Sequence, residues 1–311
     1  ILVLIFGVET AGGIGAVIHN ASELPGYLSM TLSYDVNTGK AAPYSALTIV
    51  STAAWGLGYF GMPHILLRFM AIEDEKKLKL SRRVATIWVV ISLFVAVFIG
   101  VIGYTMSKVG ALEMLTGSNS ETIIVKISAL LSQHGVIFAL LAGVILAGIL
   151  ASTMSTSDSQ LLAASSAVSS DILGAFRKDS SNKNGSMAAA RITLLVISVV
   201  AAFIARNPDS SVFAIVSFAW AGFGAAFGPV VLFSLFWKRT NKWGALAGMV
   251  CGGSMVFIWK YLIRPLGGIW NIYELLPAFL IACAAIVIVS LLTPKPSKEI
   301  EEEFDRVAQM K

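Results

Sequence analysis

Eight apolar runs, at roughly 1–18, 46–70, 84–107, 132–168, 188–206, 211–237, 243–263 and 271–293, occupy most of the chain. Each approaches or exceeds the ~20 residues a helix needs to cross ~30 Å of hydrocarbon. Few folds accept such a pattern. In lipid every backbone N–H and C=O must find an internal partner, and runs this long satisfy that requirement as helices. Only 13% of the residues are charged and 56% are hydrophobic, whereas a soluble domain carries about 25% charged residues. The expected class is an all-α integral membrane protein with about eight transmembrane helices. Residues 1–293 form its membrane domain and 294–311 a short tail. The run at 132–168 is too long for one straight span, so it is either a helix continuing past the bilayer or two pieces.

Basic residues set the orientation. Lys76, Lys77, Lys79, Arg82 and Arg83 follow the second run, Arg177, Lys178 and Lys183 the fourth, and Lys238, Arg239 and Lys242 the sixth. The alternate loops are poorer, which predicts that the basic loops and the C-terminus are cytoplasmic in a multi-pass protein of the cell (inner or plasma) membrane. The net charge of +5 reflects this bias, and no basic stripe interleaved with exposed aromatics points to nucleic acid. Tyr104, Trp237, Trp243, Trp259, Tyr261, Trp270 and Tyr273 lie near run ends, as an interfacial belt does. In the tail, Pro294 and Pro296 stop the last helix and a short charged helix follows. The chain opens on Ile1 inside an apolar run, without an initiator Met or signal-peptide charge pattern, as expected of a fragment cut within a transmembrane helix. Cys251 and Cys283 lie within spans, and His19, His64 and His134 are scattered. No phosphate loop, zinc spacing or nucleophile–base pairing is present, so neither an enzyme nor a bound cofactor is expected.

Two polar constellations interrupt the apolar runs. Seven of the eight positions from 152 to 159 are polar, and Ser152, Ser155, Thr156 and Ser159 share one helical face at i, i+3, i+4, i+7 spacing. Asp158 lies beside them. Oxygens clustered at membrane depth suit a hard cation such as Na⁺, and intramembrane polarity is by default a sign of function. The alternative is that the hydroxyls bond back to their own i−4 carbonyls. The second constellation is Ala54-Trp55-Gly56-Leu57-Gly58-Tyr59-Phe60-Gly61-Met62-Pro63-His64. Its glycines and proline weaken the helix by about 1 and 3 kcal/mol each relative to alanine. Broken helices at mid-membrane depth mark transporter substrate sites. Trp55, Tyr59 and Pro63, at i, i+4, i+8, would line one side of such a cavity, where an ammonium group can lie over aromatic faces. The competing account is a proline kink with ordinary aromatic packing.

These segments, together with FAWAGFGAAFGPVVLFSLFW (218–237) and KRTNKWGALAGMVCG (238–252), resemble the sodium/solute symporter family, and within it the sodium/proline symporters, over essentially the whole chain. The resemblance implies a LeuT-like inverted-repeat fold whose N-terminal repeat is largely missing here. It implies Na⁺-coupled uptake of a small organic solute, most closely L-proline, by alternating access in a lipid bilayer, with Na⁺ as the coupling ion. It also implies a sodium site of the Ser155 and Thr156 hydroxyls with the Ser152 carbonyl, and a possible second cation site at Asp158 and Ser159. Trp55, Tyr59, Met62 and Pro63 would meet the solute, and Trp220, Phe223, Gly224 and Pro229 would form a gate or hinge. Met62 departs from the family, which places Gln or another amide before the proline. Methionine cannot donate the hydrogen bonds of an amide, so another amino acid, a betaine or a sugar acid stays open as the solute. A symporter-like sensor domain is a further alternative, and the fragment alone is not expected to transport.

Overall fold

A computed structural model describes residues 1–36, 38–172, 183–206 and 211–309. Arg177 and Lys178, on which part of the orientation argument rests, lie outside the described residues. Among the described residues six helices are long and apolar enough to cross a membrane: Leu78–Lys108, Val136–Ser169, Met187–Ile204, Val212–Phe236, Lys242–Leu266 and Leu275–Leu292. The expected count of eight is therefore not met by continuous helices, and the two remaining runs show why. The first is split into α1 (Leu2–Thr10) and α2 (Ile14–Glu23), bent by 74° at the join. There Gly12 and Gly13 take φ of 90° and 94°, a region open to glycine at little cost. The second is interrupted between α3 (Ala46–Ala53) and α4 (Pro63–Met70) by a 3₁₀ segment, Ala54–Gly61. A short hairpin of β1 (Leu32–Asp35) and β2 (Lys40–Pro43) connects the two runs.

The chain divides into two compact units. The first contains α1, α2, α5 (Leu78–Lys108), α6 (Ile123–Ser132), α7 (Val136–Ser166) and α8 (Lys183–Ile204). Val3, Val17, Ile102, Met106 and Ile127 form its buried core. Close approach depends on glycine: a Cβ on Gly7 would lie 2.6 Å from Ile102, and one on Gly103 2.4 Å from Ile123. The long fourth run resolves as a single 31-residue helix, α7.

The second unit contains α3, the 3₁₀ segment, α4, α9 (Val212–Phe236, from Phe213), α10 (Lys242–Ile258), α11 (Leu275–Leu292) and α12 (Lys298–Gln309). Its core is Ala221, Ala225, Val256, Leu275, Ala278 and Phe279. Small residues let α10 and α11 run backbone to backbone, as membrane helices do. A Cβ on Gly244 would meet Ser290 Oγ at 1.9 Å, and one on Gly248 would meet Ile286 at 2.4 Å. Buried Asn241 caps α10 by accepting from Gly244 N at 2.9 Å. Its amide donates to Thr293 Oγ1 and Pro294 O at 2.7 and 2.8 Å, which ties the start of α10 to the end of α11. The tail helix expected after Pro296 is α12, and Lys238 pairs with its Asp305 at 2.5 Å.

Candidate functional site

The break in the second run has a local cause. Pro63 occupies the first position of α4, where its missing N–H costs nothing. The residue before a proline is pushed to extended backbone, and Met62 takes φ −83° and ψ 112°. Its carbonyl then accepts from Ile65 N and Leu66 N at 3.1 and 3.0 Å. The Met62 side chain is buried, so the residue before the proline presents an apolar group at the break. Two of the three glycines in the preceding 3₁₀ segment, Gly58 and Gly61, allow α9 to press against it. A Cβ on Gly61 would lie 2.3 Å from Phe223 O, and a Cβ on Gly224 2.7 Å from Gly58 Cα.

That contact gathers an aromatic cluster. Trp55 stacks on Trp220 and Phe213 of α9 at centroid distances of 5.6 and 5.5 Å, and on Tyr273 at 5.9 Å. Trp220 Nε1 donates to the Trp55 carbonyl at 2.9 Å, and Tyr59 meets the Trp220 ring edge-on at 4.8 Å. Trp55 and Tyr59 were expected on one α-helical face. In a 3₁₀ turn of three residues they point apart; Trp55 is half-buried in the stack, while Tyr59 is 49% exposed. They converge on Trp220 instead, which joins an expected gate residue to the expected solute residues.

Of the other gate residues, Gly224 and Pro229 are buried and Phe223 is exposed, stacked on Phe227 at 6.1 Å. Pro229 removes the N–H that would bond Ala225 O. That freed carbonyl faces α10 so closely that a Cβ on Gly252 would lie 2.2 Å from it.

The hydroxyl cluster lies on α7, in the other unit. Thr153 Oγ1 donates to Ile149 O and Ser159 Oγ to Ser155 O, both at 3.0 Å. Thr156 Oγ1 lies 3.3 Å from Ser152 O. The i−4 back-bonding alternative thus describes these three side chains as they stand. It does not use up the hydroxyl oxygens, since donating a proton leaves their lone pairs for a cation. The Thr156 contact exceeds the usual 2.5–3.0 Å of an O–H···O bond, so it is the loosest of the three. Ser152, Ser155, Thr156 and Asp158 are exposed, and Ser159 is partly so.

Tyr273 was expected in an interfacial belt and is found in the aromatic stack. Its neighbour Glu274 is buried and paired with Arg264 at 2.9 Å. No local sequence signal separates Tyr273 from the other run-end aromatics, because its partners Ser217, Trp55 and Ser51 lie 56, 218 and 222 positions away in the chain.

The Sodium:solute symporter family model matches residues 1–252. The osmoregulated proline transporter OpuE of Bacillus subtilis is 37% identical over 298 residues, covering 96% of this chain and 57% of its own length. The sodium/proline symporters of Haemophilus influenzae and Escherichia coli are 41% and 39% identical, covering 84% and 83% of this chain and 51% and 50% of their own. The chain spans about half the length of the curated relatives it matches. With that match over most of its length, and with its apolar helices, the chain is a multi-pass membrane protein that belongs to the sodium:solute symporter family.

Proposed function

We propose that the chain is part of a sodium-coupled symporter that moves L-proline by alternating access, and that it acts without a cofactor other than the coupling ion. The observation that carries this reading is the 3₁₀ break at Ala54–Gly61, where Trp55, Tyr59 and Trp220 meet. The names of its relatives, sodium/proline symporters among them, point to the solute. Trp55, Tyr59, Met62 and Pro63 form the solute side, and Trp220, Phe223, Gly224 and Pro229 the gate.

Na⁺ binds the Ser155 and Thr156 hydroxyls and the Ser152 carbonyl, with further oxygens from elsewhere in the protein; the loose Thr156 contact supports this, because it is the cheapest to give up. Asp158 and Ser159 serve a second cation. A LeuT-like fold with eight spans, in a cell membrane and with a cytoplasmic C-terminus, completes the reading.

Buried, apolar Met62 cannot donate the hydrogen bonds of an amide, which favours a second possibility, a different solute such as another amino acid, a betaine or a sugar acid. The test is radiolabelled L-proline uptake by the full-length gene product in proteoliposomes, with and without an inward Na⁺ gradient. Na⁺-dependent accumulation that is lost in Ser155→Ala plus Thr156→Ala supports both assignments. Uptake whose Na⁺ dependence survives the double substitution removes the sodium site, and absence of uptake removes proline.

A further inference from the structure

Tyr273 makes more ties than packing requires. Its ring lies within 16° of parallel to Trp55 at 5.9 Å. Its hydroxyl donates to Ser217 O of α9 at 2.6 Å, and its backbone N–H donates to Ser51 Oγ of α3 at 3.0 Å. Phe213, Ser217 and Trp220 stand at i, i+4, i+7, one face of α9. Tyr273 therefore bonds to the same face that carries the other two stacking partners of Trp55. A tyrosine of an interfacial belt turns its hydroxyl toward water and headgroups; this one turns it to a helix carbonyl.

The next residue, Glu274, is 1% exposed and holds Arg264 Nη1 at 2.9 Å, while Arg264 Nε donates to Asn271 Oδ1 at 3.1 Å. Glu274 is the buried partner and Arg264 is partly exposed, so the pair adds little net stability, but removing Arg264 would leave a buried carboxylate unpaired. Its effect here is to close the turn between Arg264 and Glu274 and to hold Tyr273 at the head of α11.

We propose that Tyr273 is a positioning residue of the solute site, setting the plane of Trp55, and that the Glu274–Arg264 pair holds it there. The proposal rests on Trp55 being a wall of the solute site. The structure implies that any shift of α9 against the broken span must break the Ser217 bond or the Trp55 stack, so Tyr273 resists that shift.

The test uses the full-length gene product in nanodiscs, with Tyr273→Leu, Tyr273→Phe and Glu274→Gln. Amide exchange of a peptide covering residues 54–61 is followed without solute, and L-proline binding is measured in Na⁺. In Tyr273→Leu, exchange quickens and the proline Kd rises by about threefold to tenfold, the range to which an aromatic pair converts. Tyr273→Phe, which keeps the ring, lies closer to the parent in both. Unchanged exchange in folded Tyr273→Leu overturns the proposal. So does faster exchange with an unchanged Kd, which would make Tyr273 packing alone. If Tyr273→Leu does not fold, Glu274→Gln decides by the same two readouts. If the parent binds no proline while exchange still quickens, the ordering of Trp55 by Tyr273 stands and the proline reading fails.

Discussion

At the residue scale, the site depends on side chains that are absent. A Cβ on Gly58 would lie 1.9 Å from Trp220 Nε1, the donor to the Trp55 carbonyl. Gly58→Ala must push the indole away and break that bond. Overpacking of this kind costs about 1–3 kcal/mol, which a lowered thermal midpoint and weakened solute binding would register; an unchanged midpoint and affinity would refute the close contact. Asn241 works the opposite way, by what it supplies. Asn241→Ala removes the cap on Gly244 N and the bonds to Thr293 and Pro294. A lost cap costs about 1 kcal/mol and each unsatisfied buried partner about 1–3 kcal/mol. We expect a stability loss of about 2–4 kcal/mol in denaturant unfolding, with Asn241→Asp, which keeps the capping oxygen, losing less.

At the element scale, α12 is attached to its unit through an exposed ion pair. The hydrogen bond from Lys238 to Asp305, and then the nearby charges of Asp305 and Glu301, hold the Lys238 ammonium above the ordinary lysine pKa of 10.5. A raised lysine stabilises the docked helix fully below that ordinary value, and the contribution is lost as pH climbs through the raised one. Docking is therefore expected to be flat from about pH 6 to 10 and to weaken only above about pH 10.5. Salt should loosen it at any pH in that range, because exposed pairs are screened. Limited proteolysis near Lys298 at low and high salt checks this, and Asp305→Asn should mimic high salt. If the cleavage rate ignores both salt and Asp305→Asn, the pair does not hold the helix.

At the scale of the whole molecule, the proposed transport imposes a symmetry. If Na⁺ tightens proline binding by some factor, proline must tighten Na⁺ binding by the same factor. Binding of each to the full-length gene product, measured with and without the other, should give equal factors; unequal factors at equilibrium would exclude coupling through a single binding site pair. The membrane class, the helical nature of the runs and the hydroxyl face on α7 were all legible in the residues, because hydrocarbon leaves the backbone no other partner than itself. The weak point at Gly56–Pro63 was legible in part, since glycine and proline act locally, whereas residues 1–18 read as one unbroken run. That this run bends by 74° at Gly12–Gly13, and that the Gly56–Pro63 break becomes a 3₁₀ turn pointing Trp55 and Tyr59 apart, was decided by tertiary packing. The same is true of Tyr273: its assignment to the Trp55 stack depends on α3, α9 and α11 meeting at one place. Local composition determines where a chain can cross lipid or break, while the contacts that turn a break into a site join residues far apart in sequence and exist only once the helices have packed.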